Sequence, residues 1–129
     1  MIKYIYYDCR VKEMNIQIFG KSKCFDTKKA ERFFKERKIS FQYIDMLNKG
    51  MSKGELEKVI KGAGGIEKLL DLKAKDQDKL MQIKYAKEQD KFDMLLLNQH
   101  LVITPVVRNG NKVRVGYEID IWKSWEDGK

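Results

Sequence analysis

The side chain in this sequence with the clearest chemical potential is a cysteine at a predicted strand-to-helix junction. Cys24 follows an apolar run and precedes a helical pattern in the stretch IFGKSKCFDTKKAERFF. A sulfur atom at a helix start lies near free backbone N–H groups, which favour a negative charge. Positive potential comes also from nearby lysines, namely Lys21, Lys23, Lys28 and Lys29. The pattern indicates a thiolate prepared for redox chemistry or for attack on an oxyanion; the alternative is a small residue that fills a loop.

The elements that must position Cys24 are predicted from periodicity. Residues 15–19 alternate apolar and polar side chains, as a half-buried strand does. A helix is expected roughly from Asp26 to Arg37, with Ala30, Phe33 and Phe34 on one face, and a second strand over 39–45. Because a helix joins them, these two strands should be parallel.

The rest of the chain is predicted to be a helical block followed by a hairpin and a closing helix. The block covers residues 51–99 and opens with the capping-box pair Ser52 and Glu55. Asn109-Gly110 between two β-branched runs indicates a tight hairpin turn, and residues 118–126 have a helical pattern. The predicted class is therefore α/β, in the order β-α-β, helical insertion, β-β-α, with a mixed four-stranded sheet.

The single proline lies where this layout gives it meaning. Pro105 follows Thr104 at the entry to the predicted hairpin. Thioredoxin-like folds with this order of elements hold a cis-proline against the active cysteine. An isolated X-Pro bond is weak evidence, since about 5–6% of such bonds are cis, and a trans proline at a strand edge is the alternative. Cys24 and Pro105 in this order are more informative together than either residue alone.

Three stretches resemble a known family. MNIQIFGKSKCFDTKKAERFFKERKISFQYIDM resembles the opening of the ArsC family, the arsenate reductase-like, glutaredoxin-like branch of the thioredoxin fold. GIEKLLDLKAKDQDKL is similar to the middle of that family, and LVITPVVRNGNKVRVGYEIDIW to its proline-containing hairpin and closing helix. The resemblance covers roughly residues 14–126 and implies a thioredoxin-like fold. The family includes arsenate reductases and Spx-like transcription regulators.

The resemblance also implies roles for individual residues. Cys24 matches the family's nucleophilic cysteine, while Thr27 stands where Spx-like members carry the second cysteine of a CxxC switch, so a disulfide between these positions is impossible. Thr104 stands where the family usually has arginine before its proline. The candidate site is therefore Cys24 as the catalytic residue, with Lys21, Lys23, Thr27, Lys28, Thr104 and Pro105 in support.

The missing arginines bear on the substrate. The sequence has no arginine between Lys38 and Val107, although arginine's planar fork suits a tetrahedral oxyanion. Arsenate reduction should therefore be poor. The function expected is that of a thiol-dependent oxidoreductase whose adduct is resolved by an external thiol, such as glutathione, bacillithiol or another redoxin. The alternative is a non-enzymatic, Spx-like regulator that binds a protein partner such as RNA polymerase.

Chain length, composition and net charge limit the classes of protein that the sequence can represent. A chain of 129 residues with 43% hydrophobic residues suits one domain, predicted over 14–129, with 1–13 as a leader or an extra edge strand. The net charge of +8 comes mostly from lysines spread along the chain, which argues against direct nucleic-acid binding. One histidine and two distant cysteines do not suit a metal site. The absence of a long apolar run and of a signal-peptide pattern favours a cytoplasmic protein without a membrane segment.

Overall fold

The computed structural model describes residues 14–126. The predicted leader at residues 1–13 lies outside the described residues. The described chain forms four strands, five α-helices and two short 3₁₀ helices. In chain order these are β1 (Ile16–Gly20), α1 (Phe25–Glu36), β2 (Phe41–Asp45), α2 (Lys53–Ala63), the 3₁₀ helix Ile66–Leu69, α3 (Gln77–Lys84), α4 (Glu88–Leu97), the 3₁₀ helix Gln99–Leu101, β3 (Val106–Asn109), β4 (Lys112–Val115) and α5 (Ile119–Glu126).

The four strands form one mixed sheet in the order β2-β1-β3-β4. β1 runs parallel to β2 and antiparallel to β3, and β3 and β4 form an antiparallel hairpin. Both the predicted α/β class and the mixed four-stranded sheet are confirmed. Among the described strands, β1 is thus a central one, which brings the residues after β1 close to those before β3.

The hairpin turn lies one residue later than predicted. Asn109 pairs with Lys112, so Gly110 and Asn111 are the two turn residues. Gly110 has a φ of 61°, a conformation that glycine adopts without a steric penalty. The predicted pair Asn109-Gly110 was therefore wrong by one position, because the last ladder pair includes Asn109.

Each face of the sheet has its own hydrophobic layer. On one face, Ile18 of β1 and Val107 of β3 pack with α1 and α5, around the fully buried Trp122. On the other face, the residue adjacent to each of these in its strand, Phe19 in β1 and Val106 in β3, packs against the helical block. Successive side chains of a strand point to opposite faces, so the apolar runs of β1 and β3 fit strands that are buried on both sides.

The capping box predicted at the start of the helical block is present in the structure. Ser52 is the N-cap of α2 and accepts a hydrogen bond from the Glu55 backbone N–H at 3.2 Å, while the Glu55 carboxylate accepts one from the Ser52 N–H at 2.9 Å. This is the predicted capping box. None of the helices formed by residues 14–126 is long and apolar enough to cross a membrane.

Candidate active site

Cys24 is the N-cap residue of α1, at the end of the loop that follows β1. Its backbone is extended (φ −88°, ψ 118°), and its carbonyl accepts the first helical hydrogen bond, from the Lys28 N–H at 3.2 Å. The Cys24 N–H in turn donates to the Lys21 carbonyl at 3.0 Å, which closes the loop into a tight turn. The sulfur is therefore held at the amino end of the helix, as predicted from the sequence.

The segment before β3 lies directly against this sulfur. The Thr104–Pro105 peptide bond is cis and Pro105 is buried. The Cys24 thiol Sγ lies 3.5 Å from the Thr104 carbonyl oxygen, within hydrogen-bonding distance. The predicted adjacency of Cys24 and Pro105 is confirmed, since this carbonyl belongs to the residue that immediately precedes the proline.

Thr27 lies beneath the loop, and its side chain is fully buried. Its hydroxyl oxygen accepts a hydrogen bond from the Lys21 backbone N–H at 3.4 Å. The methyl group of Thr27 packs so closely against Gly20 that a side chain at position 20 would collide with it. Thr27 thus fixes the loop by hydrogen bonding and by contact.

The environment of the Cys24 sulfur has opposing effects on its acidity. Burial raises the pKa of the thiol, because it disfavours the charged form. Hydrogen bonds from the side chains of Thr104 and Thr27, together with the backbone N–H groups of Thr27 and Asp26, favour the thiolate, and the net result is a lowered pKa. The Thr104 carbonyl contact belongs to the protonated thiol, which donates to it.

The lysines around Cys24 differ in what their side chains contact. Lys21 Nζ donates to the carbonyls of His100 and Val102. Lys28 Nζ lies 6.0 Å from the centre of the exposed Phe25 ring, and Lys23 is exposed. The lowered pKa of Cys24 is therefore explained by hydrogen bonds, and the four lysines do not appear among its causes.

Two residues near the site were missed by the sequence analysis. Tyr43 lies on β2, where burial and then the charges of Asp45, Glu31 and the Cys24 thiolate raise the pKa of its phenol. Val102 supplies a carbonyl to Lys21 from 81 positions away. A backbone carbonyl has no sequence signature, so only the fold could identify this contact.

Comparison with known proteins was made at the level of sequence and of structure. No protein-family model matches the sequence, and no curated protein matches it. Solved structures do match. A Bacteroides fragilis protein described as related to the ArsC family superposes with a TM-score of 0.75 at 20% identity, covering 88% of this chain and 98% of that one. The chain has the ArsC fold.

Two further solved structures have a fold similar to that of this chain. An arsenate reductase from Vibrio cholerae matches with a TM-score of 0.69 at 18% identity, over 79% of this chain and 89% of that one. A Staphylococcus aureus protein solved by NMR matches with a TM-score of 0.70 at 24% identity, over 84% and 96% of the two chains. In this ArsC fold, Cys24 and cis-Pro105 lie at the junctions where the sequence resemblance expected them.

Two arginines, Arg108 and Arg114, lie in the β3–β4 hairpin. Arg108 on β3 donates from Nη1 to the Gln17 side chain at 2.9 Å and from Nη2 to the Gly110 carbonyl at 3.3 Å. Arg114 is exposed on β4. Within residues 14–126, no group of three or more histidine, cysteine, aspartate and glutamate side chains could hold a metal ion.

Proposed function

We propose that this chain is a thiol-redox protein of the ArsC type in which Cys24 is the nucleophile. The observation that carries the proposal is the position of the Cys24 sulfur, at the amino end of α1 and 3.5 Å from the Thr104 carbonyl. Hydrogen bonds from Thr104, Thr27 and the helix backbone lower the pKa of the thiol. A lowered pKa increases the fraction of thiolate, which is the attacking species in thiol–disulfide exchange.

The reaction begins with attack of the Cys24 thiolate on an oxidised sulfur atom, such as one sulfur of a small disulfide. A new S–S bond forms at Cys24, the old S–S bond breaks, and the other half of the substrate leaves as a thiolate. A second, external thiolate then attacks the mixed disulfide and releases Cys24. Thr27 has no sulfur with which to do this, so a small thiol such as glutathione or a partner redoxin completes the cycle.

Arsenate is a poor candidate substrate for this site. An oxyanion bound at Cys24 needs fixed cationic donors, but threonine precedes Pro105 and the chain has no arginine between Lys38 and Val107. The Lys21 ammonium is also engaged by two backbone carbonyls. We therefore propose a sulfur-containing substrate in place of arsenate.

Thiol exchange with glutathione disulfide tests the proposal. The intact protein should gain one glutathione, and peptide mapping should place it on Cys24. Cys24→Ser should abolish this adduct, whereas Cys9→Ser is the matched control and should retain it. Exchange at Cys24 no faster than with free cysteine would contradict the proposal. A partner protein captured equally well by wild type and Cys24→Ser, without any exchange, would favour the Spx-like regulatory alternative.

A further inference from the structure

We propose that Lys21 is a positioning residue that fastens the Cys24 loop to the segment before Pro105. Its ammonium donates to the His100 carbonyl at 2.9 Å and lies 3.5 Å from the Val102 carbonyl. The backbone of the same residue holds the loop, since its carbonyl accepts from the Cys24 N–H and its N–H donates to Thr27. One residue therefore contacts both segments that meet at the sulfur.

The sheet alone does not set the distance between Cys24 and Thr104. The pairing of β1 with β3 ends at Phe19 and Val106. The next position on β3 is Pro105, which has no N–H to donate to a ladder. The β1–β3 ladder therefore ends before the two segments reach the sulfur, although Gly20 still pairs with Asp45 of β2 and the Pro105 carbonyl still accepts from the Gly116 N–H at 2.8 Å. The Lys21 ammonium adds a direct contact between the two segments.

On its far side, the segment that contains Val102 is held by the helical block. Residues 69–71 pair with residues 101–103 through an isolated β-bridge between Leu70 and Val102. Two backbone hydrogen bonds of 2.8 Å flank it, from the Asp71 N–H to the Leu101 carbonyl and from the Ile103 N–H to the Leu69 carbonyl. The His100 ring also lies 3.0 Å from the Asp76 carboxylate. On its near side, Lys21 supplies the hydrogen bonds to the Cys24 loop. Thr104 is thereby held between two fixed elements.

The positive charge of Lys21 strengthens its hydrogen bonds to the two carbonyls. Hydrogen bonds from an ammonium to a carbonyl are stronger than bonds between neutral groups, and here both acceptors lie in one short segment. Lys21 acts on Cys24 through the position of Thr104, whose hydroxyl favours the thiolate. The effect on reactivity rests on the proposed function of Cys24, but the fastening itself does not.

The test compares Lys21→Met and Lys21→Arg with the wild type, with Lys58→Met as a control. Lys58 is an exposed lysine on α2, so its replacement removes the same charge at another place. Hydrogen-exchange mass spectrometry measures peptides that cover residues 21–24 and 100–104. The rate of alkylation of Cys24 by iodoacetamide is measured from pH 5 to 9, at low salt and at about 0.5 M salt, where surface charges are screened.

Lys21→Met is expected to speed exchange in both peptides by about tenfold, the effect of losing one charge-assisted hydrogen bond. Its alkylation profile should move to higher pH at both salt concentrations. Lys21→Arg should restore both properties in large part, and Lys58→Met should change neither. If Lys21→Met melts too low for these measurements, Lys21→Gln provides the same comparison.

Three results would overturn the proposal. Unchanged exchange with a profile shift that disappears in salt would mean that Lys21 acts only as a charge near the sulfur. Unchanged exchange and an unchanged profile would mean that the contact has no effect. Faster exchange with an unchanged profile would mean that Lys21 stabilises the segment without positioning the site. A wild-type protein that fails to exchange with glutathione disulfide would overturn the proposed function, while the hydrogen-exchange comparison would still test the fastening.

Discussion

The Cys24 sulfur and the Thr104 carbonyl oxygen lie 3.5 Å apart, although 80 positions separate the two residues in the sequence. The contact joins the loop that follows β1 to the segment that precedes β3, at the same end of the sheet. The chemistry of Cys24 therefore depends on how accurately the fold brings these two segments together.

Removal of the Thr27 hydroxyl should make Cys24 less reactive near neutral pH. Thr27→Val keeps the shape of the side chain but cannot donate to the thiolate, so the pKa of Cys24 should rise towards its ordinary value. A thiol with a lowered pKa becomes reactive at a lower pH, and the alkylation curve of the variant should move upward in pH. At pH 7 we expect a rate about tenfold lower, as one hydrogen bond to a charged group would give.

Thr27→Ser is the control for that experiment, because it retains a hydroxyl. Its alkylation curve should stay close to that of the wild type. If Thr27→Val and the wild type titrate alike, Thr27 has a packing role only.

Thr27→Cys should restore an internal disulfide. The substitution places a second thiol one helical turn from Cys24, at the spacing of a CxxC motif, and the Thr27 side chain already contacts this loop. Oxidised Thr27→Cys should lose two thiols in a titration with a maleimide, compared with the reduced protein, and should no longer form a stable adduct with glutathione. Persistence of both free thiols under mild oxidation would show that the loop holds position 27 away from the sulfur.

Arsenate turnover should be slow in the wild type and faster in Thr104→Arg, which places an arginine before the proline. Wild type and Thr104→Arg are compared with glutathione and glutaredoxin as reductants, and Cys24→Ser gives the background rate. We expect the wild type to lie near that background, because it lacks a planar cation to bind the oxyanion. Vigorous turnover by the wild type would mean that lysines suffice.

Trp122 should be among the side chains that contribute most to stability. It is fully buried, and its ring centre lies 5.4 Å from that of Phe33, 5.8 Å from that of Phe34 and 5.5 Å from that of Tyr117. Trp122→Ala should lower the free energy of unfolding by about 3–5 kcal/mol, measured by urea denaturation.

Trp122→Phe is the informative companion to the alanine variant. Among the described residues, the indole N–H of Trp122 has no hydrogen-bond partner, so its removal loses no bond. We expect the phenylalanine variant to lose less than half as much stability as the alanine variant. Equal losses would show that a phenyl ring cannot replace the indole in this hydrophobic layer.

The ion pair between Lys91 and Glu67 should make stability depend on pH in a defined direction. Lys91 is buried, with its Nζ 2.6 Å from the Glu67 carboxylate and 2.8 Å from that of Glu88. The hydrogen bond from Lys91 lowers the pKa of Glu67 below its usual 4.5, and the two carboxylates raise the pKa of Lys91 above its usual 10.5. The contribution of Glu67 is therefore present above pH 4.5 and is lost as the pH falls through its lowered pKa.

The lysine contributes with the opposite sign. Its stabilising effect is complete below pH 10.5 and is lost as the pH rises through its raised pKa. Lys91→Met should lower the melting temperature between pH 5 and 9 and should flatten the acid limb of the stability curve. Lys58→Met serves as a control with an unchanged curve. A variant as stable as the wild type would show that the cost of burying the ammonium cancels the benefit of the pair.

Local patterns were sufficient to predict most of the fold. The apolar helix face with Phe33 and Phe34 and the capping box at Ser52 are properties of neighbouring residues, and both appear in the structure. The alternation at residues 15–19 located β1, but this strand is buried on both faces and not on one. Helix and strand ends differed from the predicted boundaries by one or two residues, as frayed ends usually do.

The site was predicted less completely, because its contacts join distant segments. The positions of Cys24 and Pro105 followed from the order of the elements, but no local pattern indicated that Lys21 would bind backbone carbonyls some 80 residues away. The sequence suggested that nearby lysines would make the thiol acidic, whereas hydrogen bonds from Thr27 and Thr104 have this effect in the folded chain. Proximity in sequence is a poor guide to side-chain direction.

The hydrophobic layer around Trp122 has a consequence for synthesis of the protein. That layer combines β1 and α1 from the first part of the described chain with α5 from the last part. A ribosome makes α5 last among these elements. The apolar face of α1, with Phe33 and Phe34, therefore cannot pack against Trp122 until the helical block and the hairpin have been synthesised. Chains that stall before Trp122 would present this face to chaperones and proteases. The helix that begins with Cys24 therefore gains its full packing only after α5 has been made.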